Sequence, residues 1–151
     1  MTGLLTAIEG LALATWARES PSIWAYPTIL TLHTVGLAIV VGVNVVVDLR
    51  LIGCAPRIPV PALPALFPIM WWGFAINFAS GLLLFMADAT TKSGQRVFWV
   101  KLACIALALI VARFVSKRLR QQDEQHLRAL AMLSLLLWAG AIVAGRLMAY
   151  L

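Results

Sequence analysis

Charged residues are scarce in this chain of 151 residues, since Asp, Glu, Lys and Arg together make up only 12% of it. Soluble domains contain about 25% charged and about 45–50% apolar residues, whereas 62% of this sequence is apolar. These values exclude a soluble globular enzyme and a disordered chain. The two cysteines exclude a disulfide-stapled miniprotein and offer no zinc spacing. A glycine-rich phosphate loop is also missing from the sequence.

Long apolar runs are what the sequence has instead. A transmembrane helix needs about 20 predominantly apolar residues, and four segments are long enough. We predict spans at residues 28–47, 65–87, 96–115 and 127–150. The connections between them are short, so the predicted fold is all-α: an integral membrane four-helix transmembrane bundle, forming one domain over residues 1–151.

The first 19 residues differ from the four spans. Leu4, Leu5, Ile8 and Leu11 recur at helical spacing, and Glu9 interrupts them. A basic segment at the start is missing, which argues against a cleaved signal peptide. We therefore predict an N-terminal interfacial helix over residues 1–19 that lies on the membrane surface.

The basic residues give the chain a formal charge of +6. They lie between the apolar runs, so they indicate membrane topology rather than a nucleic-acid partner. The side reached after the first and third spans collects Arg50, Arg57, Arg113, Lys117, Arg118, Arg120 and Arg128. The opposite side collects Arg18, Lys92, Arg96, Lys101 and Arg146. The positive-inside rule places the richer side in the cytoplasm, which predicts both termini outside a bacterial inner membrane.

Several polar residues lie inside the predicted spans, where a polar side chain is costly unless it has a structural or functional role. Gly73, Asn77 and Gly81 recur every fourth residue in the second span, with Ser80 beside them. Small residues in such a row let helices approach closely or make room for a flat ligand. The predicted topology brings four polar groups into the outer half of the bundle, namely those of His33, Ser80, Lys101 and Arg146.

His33 is the candidate cofactor ligand in this outer half. A neutral imidazole is the usual axial ligand of haem iron, and Lys101, Arg96 and Arg146 could bind the haem carboxylates. The alternative is that His33 only hydrogen-bonds a neighbouring helix and the cations extend to the interface. The other histidine, His126, lies across a hydrocarbon core of about 30 Å, so the two histidines of one chain cannot share an iron.

Two further interpretations stay open. His33 together with Met86 or Met148 could bind copper, because a thioether is a soft ligand. Alternatively, the chain could be a cofactor-free accessory or structural subunit, assembled with other membrane subunits or as a homo-oligomer. On the inner side, Asp48 and Arg50 are predicted to form an ion pair.

Three stretches of the sequence carry a resemblance to known proteins: Tyr26–Gly36 continued to Arg50, Met70–Phe74 and Phe98–Leu102. They resemble an uncharacterised family of small bacterial four-helix membrane proteins. More distantly, the chain is similar to HemJ-type protoporphyrinogen oxidases and to the membrane domain of the copper-resistance D proteins. The HemJ-type pattern matches Leu32-His33, Arg50, Gly81 and Lys101-Leu102.

The HemJ-type resemblance implies a b-type haem (heme b) with His33 as the metal ligand and Lys101 as a second site residue. The cofactor would serve electron transfer or another membrane redox step. The aromatic-rich run that HemJ-type proteins carry around the Arg is missing here, so the resemblance implies the haem site rather than their specific enzyme activity.

Overall fold

The computed structural model describes residues 2–121, 126–148 and 150 of the chain. Within these residues there is no β-strand, which confirms the all-α prediction. The helices in chain order are α1 (Thr2–Glu9), α2 (Ala12–Glu19), α3 (Ala25–Ile52), α4 (Phe67–Met86), α5 (Ala89–Gly94), α6 (Arg96–Arg120) and α7 (Leu127–Leu147). A 3-10 helix, Val60–Leu66, leads into α4.

Four of these helices, α3, α4, α6 and α7, are long and apolar enough to cross a bilayer. The chain is therefore a multi-pass integral membrane protein whose surroundings are lipid. The predicted spans fall on these four helices, although α3 and α6 extend to Ile52 and Arg120, beyond the predicted ends. At 1.5 Å per residue, the 28 residues of α3 are about 42 Å long, more than a hydrocarbon core of about 30 Å.

The N-terminal segment forms two short helices, where a single interfacial helix was predicted. The break lies at Gly10 and Leu11, between α1 and α2. Glycine is a poor helix former because it loses more backbone freedom than other residues. The break lets α2 turn back onto the bundle, where Ala14 and Ala17 are buried.

A hydrogen-bonded contact joins α1 to α5 and covers one end of the bundle, which we call the capped end (α1, α2 and α5). The Glu9 carboxylate accepts hydrogen bonds from the backbone N–H and the hydroxyl of Thr90, both at 2.7 Å. These bonds favour the ionised form and lower the pKa of Glu9. α1 and α2 are thus held against the bundle, α1 through α5 and α2 through α3 and α4.

The four long helices enclose a core that lies toward the end opposite the cap. α3 packs against α4 and α7, and α6 packs against α7. The buried core residues include Val40, Met70, Ala108, Val115 and Trp138. The 3-10 helix contacts α3, α4 and α6 and so closes the core at this end. In the described part of the chain α4 and α6 are not a closely packed helix pair, and the candidate site lies between them.

Candidate functional site

His33 lies on α3 and is held by hydrogen bonds to α4. Its Nδ1 is 3.0 Å from the backbone oxygen of Asn77 and 3.3 Å from the hydroxyl of Ser80. The Ser80 hydroxyl itself donates to the backbone oxygen of Ile76 at 2.6 Å. The carbonyl can only accept, so this 3.0 Å contact assigns the proton to Nδ1, whose N–H donates to the backbone oxygen of Asn77. The amide Nδ2 of Asn77 also lies 3.3 Å from Nδ1, but it donates at the shorter distance of 2.8 Å to the backbone oxygen of His33. In this tautomer Nε2 has a free lone pair, as a metal-ligating histidine requires.

Asn77 and Gly81, which lie on one face of α4, define the space that the His33 imidazole occupies. The Asn77 side chain donates from Nδ2 to the backbone oxygen of His33 at 2.8 Å, which satisfies a buried polar group. At Gly81, a Cβ would lie 2.9 Å from Cε1 of His33. The ring therefore occupies the space that a larger residue at position 81 would fill. The prediction that this row faces another helix or a ligand agrees with the structure.

A cavity of about 650 Å³ opens beside His33. This volume lies within the range of roughly 300–1,000 Å³ that is usual for small-molecule and cofactor sites. The predicted site residues His33, Asn77, Gly81 and Lys101 all line it. Much of its lining is aromatic: Phe74, Phe78, Phe85, Phe98 and Trp99 come from α4 and α6, and Tyr26 comes from α3. Phe85 and Phe98 stack with ring centroids 5.3 Å apart, so they join α4 to α6 at the capped end.

The cavity opens sideways, between α4 and α6. Phe78 and Leu82 of α4 and Trp99 and Leu102 of α6 line it and are also exposed on the outside of the bundle. In a membrane-spanning protein, that outside is lipid. A lipophilic molecule can therefore reach the cavity from the bilayer without crossing an aqueous surface.

Two lysines provide positive charge at the cavity. The alkyl chain of Lys101 lies against Gly145 of α7, where a Cβ would be 3.7 Å from Cε of the lysine. Lys92 comes from α5, and its ammonium donates a hydrogen bond to the backbone oxygen of Leu84. Burial lowers the pKa of Lys92, and the nearby Asp88 partly opposes this effect. The site thus combines one imidazole and two ammonium groups with the carboxylate of Asp88.

The remaining predicted site residues lie around the cavity rather than in its wall. Ser80 lies behind the His33 ring, which it contacts through Nδ1. Arg96 and Arg146 are exposed and do not line the cavity. Of the two methionines considered as copper ligands, Met148 lines the cavity, whereas Met86 is not among its lining residues.

Sequence reasoning missed Lys92 and the aromatic walls. Lys92 lies in a stretch whose polar composition predicts a simple turn, but the chain forms the short helix α5 there. The signal that could have pointed to Lys92 is its spacing of four residues from Asp88, which is a helical spacing, directly after a span. Five of the aromatic residues are spread over α4 and the start of α6, and nothing in the sequence shows that they share a wall.

His33 is the only histidine near the cavity, since His126 is exposed before α7, at the other end of the bundle. Among residues 2–121, 126–148 and 150, no three side chains of His, Cys, Asp or Glu lie close enough together to bind a metal ion. A metal at this site would therefore have one protein histidine and would need further ligands of other kinds.

The predicted ion pair between Asp48 and Arg50 is wrong. Asp48 is buried, whereas the Arg50 guanidinium donates from Nε to the backbone oxygen of Ile58. The ion pair found in the described part of the chain joins Arg18 and Glu19 instead. The reason is geometric: residues two apart on a helix point in directions about 200° apart, so they cannot meet.

Comparisons of the chain with protein-family models, with curated proteins and with solved structures found no match. The resemblance drawn from the sequence therefore stays a prediction. What can be argued about function rests on the imidazole, the cavity and its lateral opening.

Proposed function

We propose that the chain is a membrane haem protein in which His33 ligates a b-type haem within the cavity, for electron transfer or another membrane redox step. The observation that carries this proposal is the contact that engages one ring nitrogen of His33 and leaves the other available. Its Nδ1 is engaged by the backbone of Asn77, and Nε2 is left free beside a cavity with aromatic walls. A histidine with only a structural role would need no such cavity.

The residues of the cavity suit a haem in shape and charge. Flat aromatic side chains favour a planar ligand, and the lateral opening suits a hydrophobic macrocycle delivered from the membrane. The ammonium groups of Lys101 and Lys92 would bind its carboxylates. When bound, haem supplies a one-electron redox centre whose potential depends on its axial ligands and on burial. The HemJ-type resemblance points to the same ligand.

The orientation in the membrane follows from the basic residues. We propose that the capped end faces outward and that the turn after α6, which carries Lys117, Arg118 and Arg120, lies in the cytoplasm of a bacterial inner membrane. The haem would then lie in the outer half of the bilayer.

Reporter fusions test this orientation. An alkaline phosphatase fusion after Leu151 should be active and one after Gln121 inactive, because that enzyme requires the oxidising side of the membrane. Fusions of green fluorescent protein at the same points should give the opposite pattern. Both fusion points on one side would contradict four crossings, and an exchanged pattern would place the cavity in the inner half.

An absorption spectrum of the purified protein tests the haem directly. Cells given ample haem precursor should yield protein with a Soret band that shifts on reduction. Lys101→Gln should weaken haem binding by roughly ten- to a hundredfold, since losing one charged hydrogen bond costs about 1.5–3 kcal/mol. Arg146→Gln, which removes a cation outside the cavity, should leave binding unchanged. Equal loss in both variants would show that the cavity lysine has no special part.

The same preparation distinguishes the alternatives. Copper handling has one structural point in its favour, because Met148 lines the cavity together with His33. Bound copper by elemental analysis, with no Soret band, would support that function. If protein from cells supplied with both haem precursor and copper contains neither cofactor, the interpretation as a cofactor-free subunit remains.

A further inference from the structure

A second polar cluster is buried where α3 packs against α7, on the side of the core away from the cap. On α3 it contains Asn44 and Asp48, which are 3% and 2% exposed, and on α7 Ser134 and Trp138, which are 1% and 2% exposed. The members on each helix are four residues apart and so share a face. α3 and α7 cross the membrane in opposite directions. Asp48 lies beside Ser134, and Asn44 and Trp138 are therefore each one turn nearer the capped end.

Three polar atoms of this cluster are buried without a hydrogen-bond partner in the described part of the chain. They are Oδ2 of Asp48, Oγ of Ser134 and Nε1 of Trp138. Asn44, by contrast, is engaged, because its Nδ2 donates to the backbone oxygen of Val40 at 2.8 Å. A buried polar group without a partner costs about 1–3 kcal/mol. Three such atoms at one helix contact are open hydrogen-bonding positions that a bound molecule could occupy.

Among the residues that the structure describes, no cation pairs with Asp48. α4 and the 3-10 helix, which both pack against α3, contain no ionisable side chain at all. On α3 itself, the Arg50 guanidinium is directed to Ile58. The charged groups of the other two neighbouring helices are Arg128 and Arg146 of α7, both exposed, and Arg18 and Glu19 of α2, which pair with each other at the capped end. An ionised Asp48 would therefore be an uncompensated buried charge, which is far more costly than a neutral carboxylic acid.

We propose that Asp48 is a proton-exchanging carboxylic acid in a water-binding site that it forms with Ser134 and Trp138. One water can accept a hydrogen bond from the Trp138 indole N–H and bond to the Asp48 carboxyl and the Ser134 hydroxyl. Buried waters commonly make about three such bonds. A metal cation suits the cluster poorly, because the indole N–H would direct its positive end at the ion and only one carboxylate is present.

Proton exchange at this site needs only a short path. Asp48 lies four residues before Ile52, the end of α3, which is about 6 Å along the helix axis. In the exchange the carboxyl O–H bond breaks, the proton passes to the bound water, and that water releases a proton to the aqueous side. Return of a proton reverses these steps, and no other bond changes. The site does not depend on the proposed haem, since it shares no residue with the cavity.

Infrared difference spectroscopy of the purified protein in lipid bilayers, recorded while the pH is changed, tests the carboxylic acid. The parent should show a C=O stretching band of a protonated carboxyl group that moves to lower frequency in D₂O and disappears at alkaline pH. Asp48→Asn should lack this band. Glu19→Gln changes an exposed carboxylate to an amide in the same way and should keep it. Ser134→Ala should keep the band at a shifted frequency, because the carboxyl loses the polar hydroxyl beside it.

The bound water has its own signature in the same measurement. An O–H stretching band should shift when H₂¹⁸O replaces ordinary water, and it should vanish in Trp138→Phe as well as in Asp48→Asn. Melting temperatures close to that of the parent would show that the variants are folded. If Asp48→Asn removes no carboxylic acid band, or removes only a carboxylate band that depends on Na⁺ or K⁺, the site binds no exchangeable proton and the proposal is wrong. An unchanged water band in Trp138→Phe would show that no water is bound to the Trp138 indole, and that part of the proposal would be wrong.

Discussion

His33→Ala is expected to abolish haem binding, while His126→Ala leaves it intact. The first substitution removes the only imidazole that lines the cavity. The second removes an exposed imidazole near the other end of the bundle. Haem content, measured as the ratio of Soret to protein absorbance after purification, should fall to background in His33→Ala and stay at the parent value in His126→Ala. Equal retention in both variants would contradict haem ligation by His33.

A loss of haem in His33→Ala must be separated from a loss of fold, because the ring also bonds to α4. Imidazole added to the variant provides this control. The substitution leaves room for a free imidazole beside Gly81, so millimolar imidazole should restore a Soret band if the cavity is intact. The haem-free melting temperature of the variant should also stay within a few degrees of the haem-free parent. A variant that melts normally and gains nothing from imidazole would indicate that haem, if present in the parent, is bound elsewhere.

The four spans could be predicted from the sequence because they depend only on the length of each apolar run. A run of apolar residues long enough for the hydrocarbon core must be helical, since lipid offers no partner for backbone polar groups. The packing of α1 against α5 depends on a different force. Glu9 and Thr90, far apart in sequence, are hydrogen-bonded at the capped end. No local pattern predicts such a contact.

The sequence predicts how deep in the membrane the candidate site residues lie, but not how each helix is rotated about its own axis. His33 and Lys101 fall in the same half of the bundle by counting residues, and both line the cavity. The orientation of Arg146 depends on the rotation of α7 about its axis. A helix in lipid is apolar on every side, so amphipathicity gives no answer. The small buried residues Ala141 and Ala144 mark the inward face, and Arg146, two residues further on, points away from it.

Gly36→Ala is expected to destabilise the bundle strongly, because α3 and α4 come into backbone contact at this residue. A Cβ at Gly36 would lie 2.6 Å from the backbone N of Asn77 and 2.9 Å from the backbone oxygen of Gly73. Backbone atoms cannot move aside as a flexible side chain can, so the two helices must separate. Overpacking of this kind costs about 1–3 kcal/mol, and we expect the upper part of that range.

Gly42→Ala provides the matched control, since it is the same substitution on the same helix, less than two turns away. A Cβ at Gly42 would meet no atom within 4 Å, so this variant should lose no stability and could gain up to about 1 kcal/mol from helix propensity. Thermal unfolding followed by circular dichroism in one detergent would compare the two. Gly36→Ala should also weaken haem binding, because separating α3 from α4 disturbs the hydrogen bond between His33 and Asn77. If both variants melt alike, α3 and α4 do not approach at Gly36, and the hydrogen bonds that fix the tautomer of His33 lose their basis.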